Sequence, residues 1–384
     1  MLWVATTGYA MEGALAQEIR SLGYTPVDIQ TSRVTFEGDI NAGARCCLWL
    51  RTAGRVRLVA GQFKATTFDE LFDGVRAIPW KELVLREGKL PVTARCVSSR
   101  LASVPSVQSV VKKAIVQSFN TPLPERGAAY PVEAHIFKDT VTISIDITGD
   151  PLHKRGYRSL NGEAALRETL AASLVLFSGW QQPLQLVDPF CGSGTICIEA
   201  AMIAQRIAPG LDRHFGAEQW PQIDACIWQD AREEARAAQL PGLERRIIGS
   251  DIDEKALEYA RYHARKAGVA GSIHFQNADA LQLTSSRKYG HIITNPPYGK
   301  RLGEKQDAER LMEQMEPVFS KLDTWSVHII TADEQLERRL KKRAAKRRVV
   351  MNGPIICRYY QFFGPRPPRR TAPDESAATT QADS

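Results

Sequence analysis

An apolar segment that ends in aspartate, a glycine-rich turn and a helical segment follow one another directly in the second half of the chain. The apolar segment ends at Asp188, the turn contains Gly192 and Gly194, and residues 196–203 have the apolar content of a helix. Strand, tight turn and helix in this order place a ligand at the carboxyl end of a parallel strand. Glycines let the backbone bend and approach such a ligand closely. The pattern is typical of an α/β fold.

The turn does not match a dinucleotide-binding fingerprint. That fingerprint is Gly-x-Gly-x-x-Gly, followed by an acidic residue about 20 positions further on. Cys197 stands where the third glycine belongs, and the next acid that ends a strand-like segment is Asp251, much further along the chain. The sequence therefore disfavours NAD and FAD as ligands.

Two further strand-like segments also lead to acidic side chains. Residues 246–251 end at Asp251, and residues 272–277 lead to Asp279. A carboxylate at the first position can accept hydrogen bonds from two ribose hydroxyls, and one at the second can accept from the amino group of an adenine. The alternatives are a helix N-cap for Asp251 and an ordinary loop position for Asp279.

A second motif, Asn-Pro-Pro-Tyr, lies about a hundred residues downstream of the glycine-rich turn and follows the fourth strand-like segment, residues 289–294. An exocyclic amine on a base or amide is a poor nucleophile because its lone pair is conjugated. The side-chain oxygen of Asn295 and the carbonyl of Pro296 are two acceptors that can orient this lone pair, while Pro297 stiffens the loop. Tyr298 offers a ring for stacking, which contributes about 1–3 kcal/mol. The alternative is a rigid turn of purely structural use.

These motifs carry a resemblance to known families. Residues 155–363 resemble the Rossmann-like class I methyltransferases of the amino-methylating branch, and residues 2–363 resemble the THUMP-domain RNA guanine-N2 methyltransferases. The similarity is greatest to the group that modifies large-subunit ribosomal RNA, because a basic-Leu sequence follows the second motif at residues 300–302. Residues 153–158 and 164–171 also match that group's entry into the catalytic domain. Larger members carry a second methyltransferase domain, and we expect the single-domain form here.

The resemblance implies a Rossmann-like methyltransferase domain with a mostly parallel seven-stranded sheet, preceded by α+β ferredoxin-like and THUMP domains. The expected boundaries are 1–54 for the ferredoxin-like domain, 55–150 for THUMP, 155–364 for the methyltransferase domain and 365–384 for a disordered tail. The implied cofactor is S-adenosylmethionine. The expected contacts to it are Asp188, Phe190, Gly192, Gly194, Thr195, Asp251, Ile252, Asp279 and Ala280. The expected catalytic residues are Asn295, Pro296, Pro297 and Tyr298.

The resemblance also implies RNA as the partner, and the sequence offers two groups of basic candidates. Residues 338–348 contain eight basic residues in eleven, which suits either phosphate contacts or a solvated helix face. The basic side chains of the THUMP segment are open to the same two interpretations. The candidates are Arg95, Arg100, Lys112, Lys113, Lys300, Arg301, Arg338, Arg339, Lys341 and Lys342.

Smaller patterns predict the remaining organisation. The front half is expected to contain strands at 2–5, 34–36 and 91–97, helices at 12–22, 68–78 and 107–119, and a hairpin of 132–137 with 141–147. The back end is expected to contain a strand at 326–331 and a hairpin of 349–351 with 355–363. A long insertion at residues 205–245 could, by its position, form one wall of the active-site mouth.

Composition narrows the class of protein. The 384 residues carry a formal charge of +7 and have a pI near 9.0, which favours a polyanionic partner. The seven cysteines include no C-x-x-C pair, so we expect neither a zinc site nor disulfides, and no metal. The sequence contains no run of 18 apolar residues, so we expect no membrane span. The N-terminus does not resemble a signal peptide. We therefore expect a cytoplasmic protein.

Several functions remain open at this stage. Asn-Pro-Pro-Tyr serves adenine-N6 methylation of DNA or RNA as well as guanine-N2 methylation. It also serves methylation of glutamine in proteins, which the basic charge and the front half disfavour. Transfer RNA is an alternative to ribosomal RNA. An RNA-binding assembly factor that has lost methylation is disfavoured because Asp188, Asp251 and Asn295 are all present.

Overall fold

The computed structural model describes residues 1–119, 126–158, 166–299 and 302–368, with only the backbone of Leu302. Two seven-stranded sheets organise this part of the chain. The first belongs to the front half and the second to the back half. Within the described residues, no helix is long and apolar enough to cross a membrane.

The front sheet has the strand order β2-β3-β1-β4-β7-β6-β5. All of its neighbours pair antiparallel except β5 and β6, which are parallel. Its elements are β1 (Leu2–Thr7), α1 (Glu12–Ser21), β2 (Pro26–Gln30), β3 (Arg33–Glu37), α2 (Ile40–Trp49), β4 (Ala53–Lys64), α3 (Phe68–Arg76), α4 (Trp80–Leu83), β5 (Val92–Val97), α5 (Val104–Phe119), β6 (Val132–Phe137) and β7 (Thr140–Asp146).

The long strand β4 joins the two front modules. It pairs with β1 on one side and with β7 on the other, so both modules share one sheet. The expected boundary between residues 54 and 55 falls inside this strand. A single hydrophobic cluster also runs through both modules, from Trp3 and Leu15 to Val111 and Ile143.

The back sheet has the strand order β10-β9-β8-β11-β12-β14-β13. The first five strands are parallel and the last two pair antiparallel, so the predicted mostly parallel sheet is confirmed. Its elements are α6 (Glu168–Ser178), β8 (Leu186–Asp188), α7 (Thr195–Ala204), α8 (Ala225–Ala237), β9 (Ile247–Asp251), α9 (Glu254–Lys266), β10 (Ile273–Asn277), β11 (His291–Thr294), α10 (Leu302–Lys321), β12 (Ser326–Thr331), α11 (Leu336–Arg339), β13 (Lys346–Asn352) and β14 (Ile355–Phe362).

The order of the parallel strands reverses between β8 and β11. From β8 the chain moves outward through β9 and β10, then returns to β11 on the other side of β8. In open α/β sheets, ligands bind in the crevice at the carboxyl ends of the strands where this reversal occurs. Both sequence motifs follow these two strands, because Asp188 ends β8 and Asn295 follows β11.

The insertion at residues 205–245 does not form a wall of the active-site mouth, so that expectation is wrong. The Trp220 indole N–H donates to the carbonyl of Ala129 over 2.9 Å, and its ring stacks on Tyr130 with centroids 4.6 Å apart. Trp228 belongs to the hydrophobic cluster of the front half. On α8, Glu234 pairs with Arg45 at 2.7 Å. The insertion binds the front half because burying its indoles there removes a large apolar area from water.

The basic run 338–348 does not form a single helix. Its first residues end α11, its last residues begin β13, and turn residues lie between. The predicted disordered tail begins at residue 365, and residues 369–384 of it lie outside the described residues.

Candidate active site: a cofactor cleft beside an unpaired amide oxygen

A cleft of about 530 Å³ opens at the carboxyl ends of β8, β9, β10 and β11. Eight of the nine expected cofactor contacts line it: Asp188, Phe190, Gly192, Thr195, Asp251, Ile252, Asp279 and Ala280. From the second motif, Asn295 and Pro297 line the same cleft. The two motifs therefore meet at one site, as their positions after neighbouring strands require.

The two glycines of the turn have different roles. Gly192 faces open space, because a Cβ at this position would meet no atom within 4 Å. Gly194 is not among the cleft-lining residues, and a Cβ there would lie 2.9 Å from the Phe275 ring and 3.0 Å from the Ala260 Cβ. Its φ of 81° is also left-handed. Gly194 therefore lets the turn pack against β10 and α9, and its approach to the ligand stays a prediction.

The Asp251 carboxylate holds the loops after β8 and β9 together. Its Oδ2 accepts a hydrogen bond from the Gly192 amide at 2.9 Å, and its Oδ1 accepts one from the Asp253 amide at 3.0 Å. Helix α9 is capped by Asp253, whose side chain accepts from the Lys255 amide at 2.9 Å. The N-cap alternative for Asp251 is thus wrong. Each Asp251 oxygen keeps a second lone pair for hydroxyls of a ligand.

The Asp279 carboxylate caps a short helix and also lines the cleft. Its Oδ1 accepts from the Leu281 amide at 2.9 Å and caps the short 3₁₀ helix Ala280–Gln282. The residue is nevertheless exposed and lines the cleft. Beside it, Ala280 contributes a buried apolar surface. Across the strand ends, Ile252 is 75% exposed, which is unusual for so apolar a side chain and leaves it free to cover a flat ring.

Asp188 is the most buried acid of the cleft. Only 1% of it is exposed, and its Oδ1 accepts from the Thr294 hydroxyl at 2.7 Å and from the Phe190 amide at 3.2 Å. Burial raises the pKa of this carboxyl from 3.8 to about 7, although both hydrogen bonds lower it. A positively charged ligand in the cleft would favour the ionised form.

The side-chain oxygen of Asn295 has no hydrogen-bond partner within the described part of the chain, although it is buried. An amide acceptor without a partner is costly in a folded protein, about 1–3 kcal/mol. A donor on a ligand or an ordered water would satisfy such a group. Asn295 itself lines the cleft, so the unpaired oxygen lies beside the space that a bound molecule would occupy.

Tyr298 is fixed through its hydroxyl. This group accepts a 2.7 Å hydrogen bond from the Asn352 side chain at the end of β13, and burial raises the pKa of the phenol to about 12. Neither Tyr298 nor the buried Pro296 is among the described residues that line the cleft. The aromatic ring instead lies at the edge of the core beneath it.

The motif loop also lies tightly against the start of α10. A Cβ on Gly299 would come within 2.3 Å of the Lys305 amide nitrogen and 2.4 Å of the Glu304 carbonyl carbon. The φ of Gly299 is 62°, which other residues rarely adopt. The close approach of the motif loop to α10 at this position therefore requires glycine.

Comparison with known families decides the assignment. A model described as "RMKL-like, methyltransferase domain" matches residues 155–361, more than half of the chain. Models of the RlmL ferredoxin-like domain and of the THUMP domain match residues 3–57 and 65–146.

The chain belongs to the RMKL-like methyltransferase family.

Relatives along the whole chain agree with this assignment. A Bacillus subtilis protein named "Putative RNA methyltransferase YpsC" is 42% identical over 96% of this chain and 97% of its own length. The ribosomal RNA large subunit methyltransferase K/L of Shewanella baltica is 36% identical over 91% of this chain. The chain spans about half the length of the K/L relatives, 51% for this one.

Solved structures confirm the arrangement of the three domains. A Clostridium difficile 630 protein described as "a possible methylase" has a TM-score of 0.92 at 42% identity, covering 96% of this chain and 99% of its own. The SMU.472 protein, solved with SAH (S-adenosylhomocysteine), has a TM-score of 0.88 at 38% identity over 96% of this chain and 99% of its own. The ferredoxin-like, THUMP and methyltransferase domains are thus confirmed as predicted.

The cleft of this RMKL-like protein fits S-adenosylmethionine on its own evidence. Its volume is in the range typical of cofactor sites. The Asp251 and Asp279 carboxylates keep free lone pairs at two strand ends, and Ile252 is exposed beside them. The N-terminus of α7 has no side-chain cap and faces the same cleft through Thr195, which suits a carboxylate on the ligand.

Several residues of the site were not expected from the sequence. Thr294 and Asn352 support Asp188 and Tyr298, and Leu166, Lys255 and Tyr259 line the cleft. Lys255 and Tyr259 are four residues apart at the start of α9, a spacing that places both on one face. Because this spacing directly follows Asp251, Lys255 and Tyr259 could have been predicted from the sequence. Asn352 lies in a hairpin far along the chain, and no local sequence pattern predicts its contact with Tyr298.

The expected RNA contacts are placed in different environments. Those that are exposed are Arg95, Arg100, Lys112, Lys113, Arg338, Lys341 and Lys342. Lys300 and Arg301 lie outside the described residues. Arg339 pairs with Asp333 at 2.7 Å and with Glu309 and Glu313 at 2.9 Å each. Three carboxylates hold this guanidinium, which gives Arg339 a structural role, while its contact with RNA stays a prediction.

Proposed function

We propose that this protein transfers the methyl group of S-adenosylmethionine to the exocyclic N2 amine of a guanine in large-subunit ribosomal RNA. The observation that carries the proposal is the unpaired, buried Oδ1 of Asn295 at the wall of the cofactor cleft. S-Adenosylmethionine, the methyl donor, supplies an electrophilic methyl group on a positively charged sulfur. The protein must therefore position an amine and needs no strong base before the attack.

Asn295 and Pro296 act on the amine. The Asn295 Oδ1 and the Pro296 carbonyl accept its two N–H groups, which turns the nitrogen lone pair away from the ring system and toward the methyl group. The nitrogen forms a bond to the methyl carbon while the carbon–sulfur bond breaks and its electron pair stays on sulfur. One proton of the nitrogen then passes to water. Asn295 is held for this role because it directly follows β11, next to the strand that ends at Asp188.

Tyr298 supports the base from the side of the loop. Its ring is half-buried, and the hydrogen bond from Asn352 fixes its orientation. A ring with a fixed orientation loses little entropy when a base stacks on it, and such stacking contributes about 1–3 kcal/mol. We therefore assign Tyr298 to stacking and Asn352 to positioning it.

Three observations support RNA as the substrate. The relatives are named as RNA methyltransferases, those of the K/L group as enzymes of large-subunit ribosomal RNA. A THUMP domain occupies the front half. The formal charge of +7 includes exposed Lys112 and Lys113 on α5. Ribosomal RNA is proposed over transfer RNA because the K/L relatives span this chain nearly completely.

The three domains are proposed to end near residues 54, 150 and 364.

A specific observation keeps adenine-N6 methylation as the second candidate. A Listeria monocytogenes structure described as a "predicted N6-adenine-specific DNA methylase" has a TM-score of 0.89 at 41% identity, over 95% of this chain and 96% of its own. The acceptor pair of Asn295 and Pro296 suits either amine.

The test is to identify the methylated nucleoside. Large-subunit ribosomal RNA and transfer RNA from a strain that lacks the gene are incubated with the protein and S-adenosylmethionine, digested and analysed by mass spectrometry. The proposal predicts N2-methylguanosine in the ribosomal RNA and none with Asn295→Ala. Methylated adenosine instead would establish the second candidate, and methylation confined to transfer RNA would overturn the choice of substrate.

A further inference from the structure

A second cavity, of about 700 Å³, lies between the front half and the methyltransferase domain. Helices α1 and α2 form one side, while α6, the end of α7, α8 and β13 form the other. The methyl-transfer mechanism uses none of its residues. It is larger than the cofactor cleft and differs from it in chemistry, because arginine is the most frequent polar residue in its lining.

Positive charge exceeds negative charge around this cavity. Four arginines line it, Arg45, Arg51, Arg206 and Arg348, against two glutamates, Glu18 and Glu234. Arg45 binds both oxygens of Glu234 at 2.7 Å, and Glu18 accepts from the backbone amide of Arg51 at 2.9 Å. In the part of the chain that the structure describes, neither Arg206 nor Arg348 has a carboxylate partner. These two charges are therefore available to an anion.

Hydrogen-bond donors in the lining residues also lack acceptors. Arg51 is only 7% exposed, and its Nη2 donates to the carbonyls of Ile207 at 2.8 Å and Met202 at 3.3 Å. Among the described residues, however, its Nη1 has no partner, nor do the Nε of Arg348 and the indole N–H of Trp49. Buried donors without acceptors are rare because each carries a desolvation cost. All three unpaired groups are donors, so a group that satisfied them would have to supply acceptors.

The remaining lining is apolar and partly aromatic. Leu176, Phe177 and Trp49 line the cavity, and Leu176 is partly exposed there although it lies on a buried helix. The Arg348 guanidinium lies 4.4 Å from the centre of the Phe177 ring. This contact holds one cation at the border between the apolar and the charged lining. A ligand that fits both parts has a flat ring, whose faces pack on apolar side chains, and an anionic group.

We propose that this cavity binds a nucleotide, with its phosphate at Arg206 and Arg348 and its base against the apolar side. A nucleotide of the substrate RNA and a free nucleotide share this chemistry. The first source rests on the proposed function and the second does not. The occupant would contact both α2 and the end of α7, so it would join the two halves of the molecule.

The experiment uses the full chain saturated with SAH, so that the cofactor cleft is filled. Calorimetric titration measures binding of the common nucleoside 5′-monophosphates, of the matching nucleosides and of a short single-stranded RNA. The test variant is Arg206→Gln with Arg348→Gln. The control is Arg347→Gln, which removes one positive charge from the neighbouring position of β13, where Arg347 pairs with Glu337 at 3.1 Å. If the double variant does not fold, Arg206→Gln alone is used as the test variant, because Arg206 is exposed.

The proposal predicts that monophosphates bind more tightly than nucleosides, and that the double variant weakens their binding about tenfold or more while the control does not. The same loss with the short RNA identifies RNA as the source, and loss with monophosphates alone identifies a free nucleotide. Equal affinity in the double variant and the unmodified protein, or no binding of either probe, would overturn the proposal. Methyl transfer is not measured in this experiment, so its failure is distinct from failure of the proposed function.

Discussion

The hydroxyl of Thr294 donates a 2.7 Å hydrogen bond to the carboxylate of Asp188. Thr294 ends β11 and Asp188 ends β8, and these strands are parallel neighbours. One bond thus connects the residue before Asn295 to the first acid of the cofactor cleft. A small displacement of either strand would change the distance between the cofactor and the amine, to which transfer rates are sensitive.

We predict that cofactor affinity depends on pH through Asp188. Burial raises its pKa to about 7. In the ligand-free protein, the fraction of molecules with a neutral Asp188 carboxyl therefore grows as the pH falls below that value. S-Adenosylmethionine is positively charged and favours the ionised form, so its affinity should fall up to about tenfold from about pH 8 to pH 6. Calorimetry at both pH values checks this. In Asp188→Asn the affinity should be lower and nearly independent of pH.

The same substitution should stabilise the ligand-free fold. The folded pKa of Asp188 is raised above its unfolded value, so ionisation disfavours folding above about pH 7, and this penalty disappears as the pH falls toward 3.8. The melting temperature of Asp188→Asn should therefore exceed that of the unmodified protein more at about pH 8 than at pH 5. An equal difference at both pH values would contradict the raised pKa.

We predict that Asp251→Ala weakens cofactor binding by about 1.5–3 kcal/mol. The change removes lone pairs for ligand hydroxyls and the acceptor of the Gly192 amide. Asp253→Ala is a comparison, because it removes a carboxylate that also lines the cleft but caps α9. Calorimetric titration that finds unchanged affinity in Asp251→Ala would remove Asp251 from the cofactor site.

The sequence predicted the methyltransferase domain well because its signals are local. Strands β8, β9, β11 and β12 are short, largely apolar runs that end at a polar residue, and eight of nine expected cofactor contacts line the cleft. The front sheet was harder to predict. Strand β4 was missed because arginines at positions 55 and 57 interrupt its apolar pattern, and they face Asp146 across the sheet. The roles of Trp220, Asn352 and Arg339 depend on partners far along the chain, which no local pattern specifies.

We predict that Tyr298 and Asn352 act as a unit. Tyr298→Phe keeps the ring but removes the acceptor of the Asn352 amide, and Asn352→Ala removes the donor. Each should raise KM for RNA a few-fold with little change in cofactor affinity, and the double variant should be no worse than either alone. Tyr298→Ala should be clearly more harmful because stacking needs the ring. Additive effects of the two changes would show that the hydrogen bond does not position Tyr298.

We predict that the basic residues around α11 separate into two functions. Neutralising Arg338, Lys341 and Lys342 together should lower RNA affinity and reduce its dependence on salt, because these side chains are exposed. Arg339→Gln should instead destabilise the fold by about 1–3 kcal/mol, because three carboxylates lose their partner. Filter binding at several salt concentrations and thermal unfolding measure the two effects. An unchanged salt dependence in the triple variant would exclude phosphate contacts there.

The central claim is that Asn295 presents the N2 amine of a guanine, and replacing guanosine by inosine tests it most directly. Inosine lacks only that amine. The substrate RNA is prepared with either nucleoside at the methylated position, and single-turnover methyl transfer is measured with saturating S-adenosylmethionine. We predict transfer to the guanosine RNA alone, its loss in Asn295→Ala, and nearly unchanged cofactor affinity in that variant. Transfer to the inosine RNA at a similar rate would contradict the account, as would full activity of Asn295→Ala.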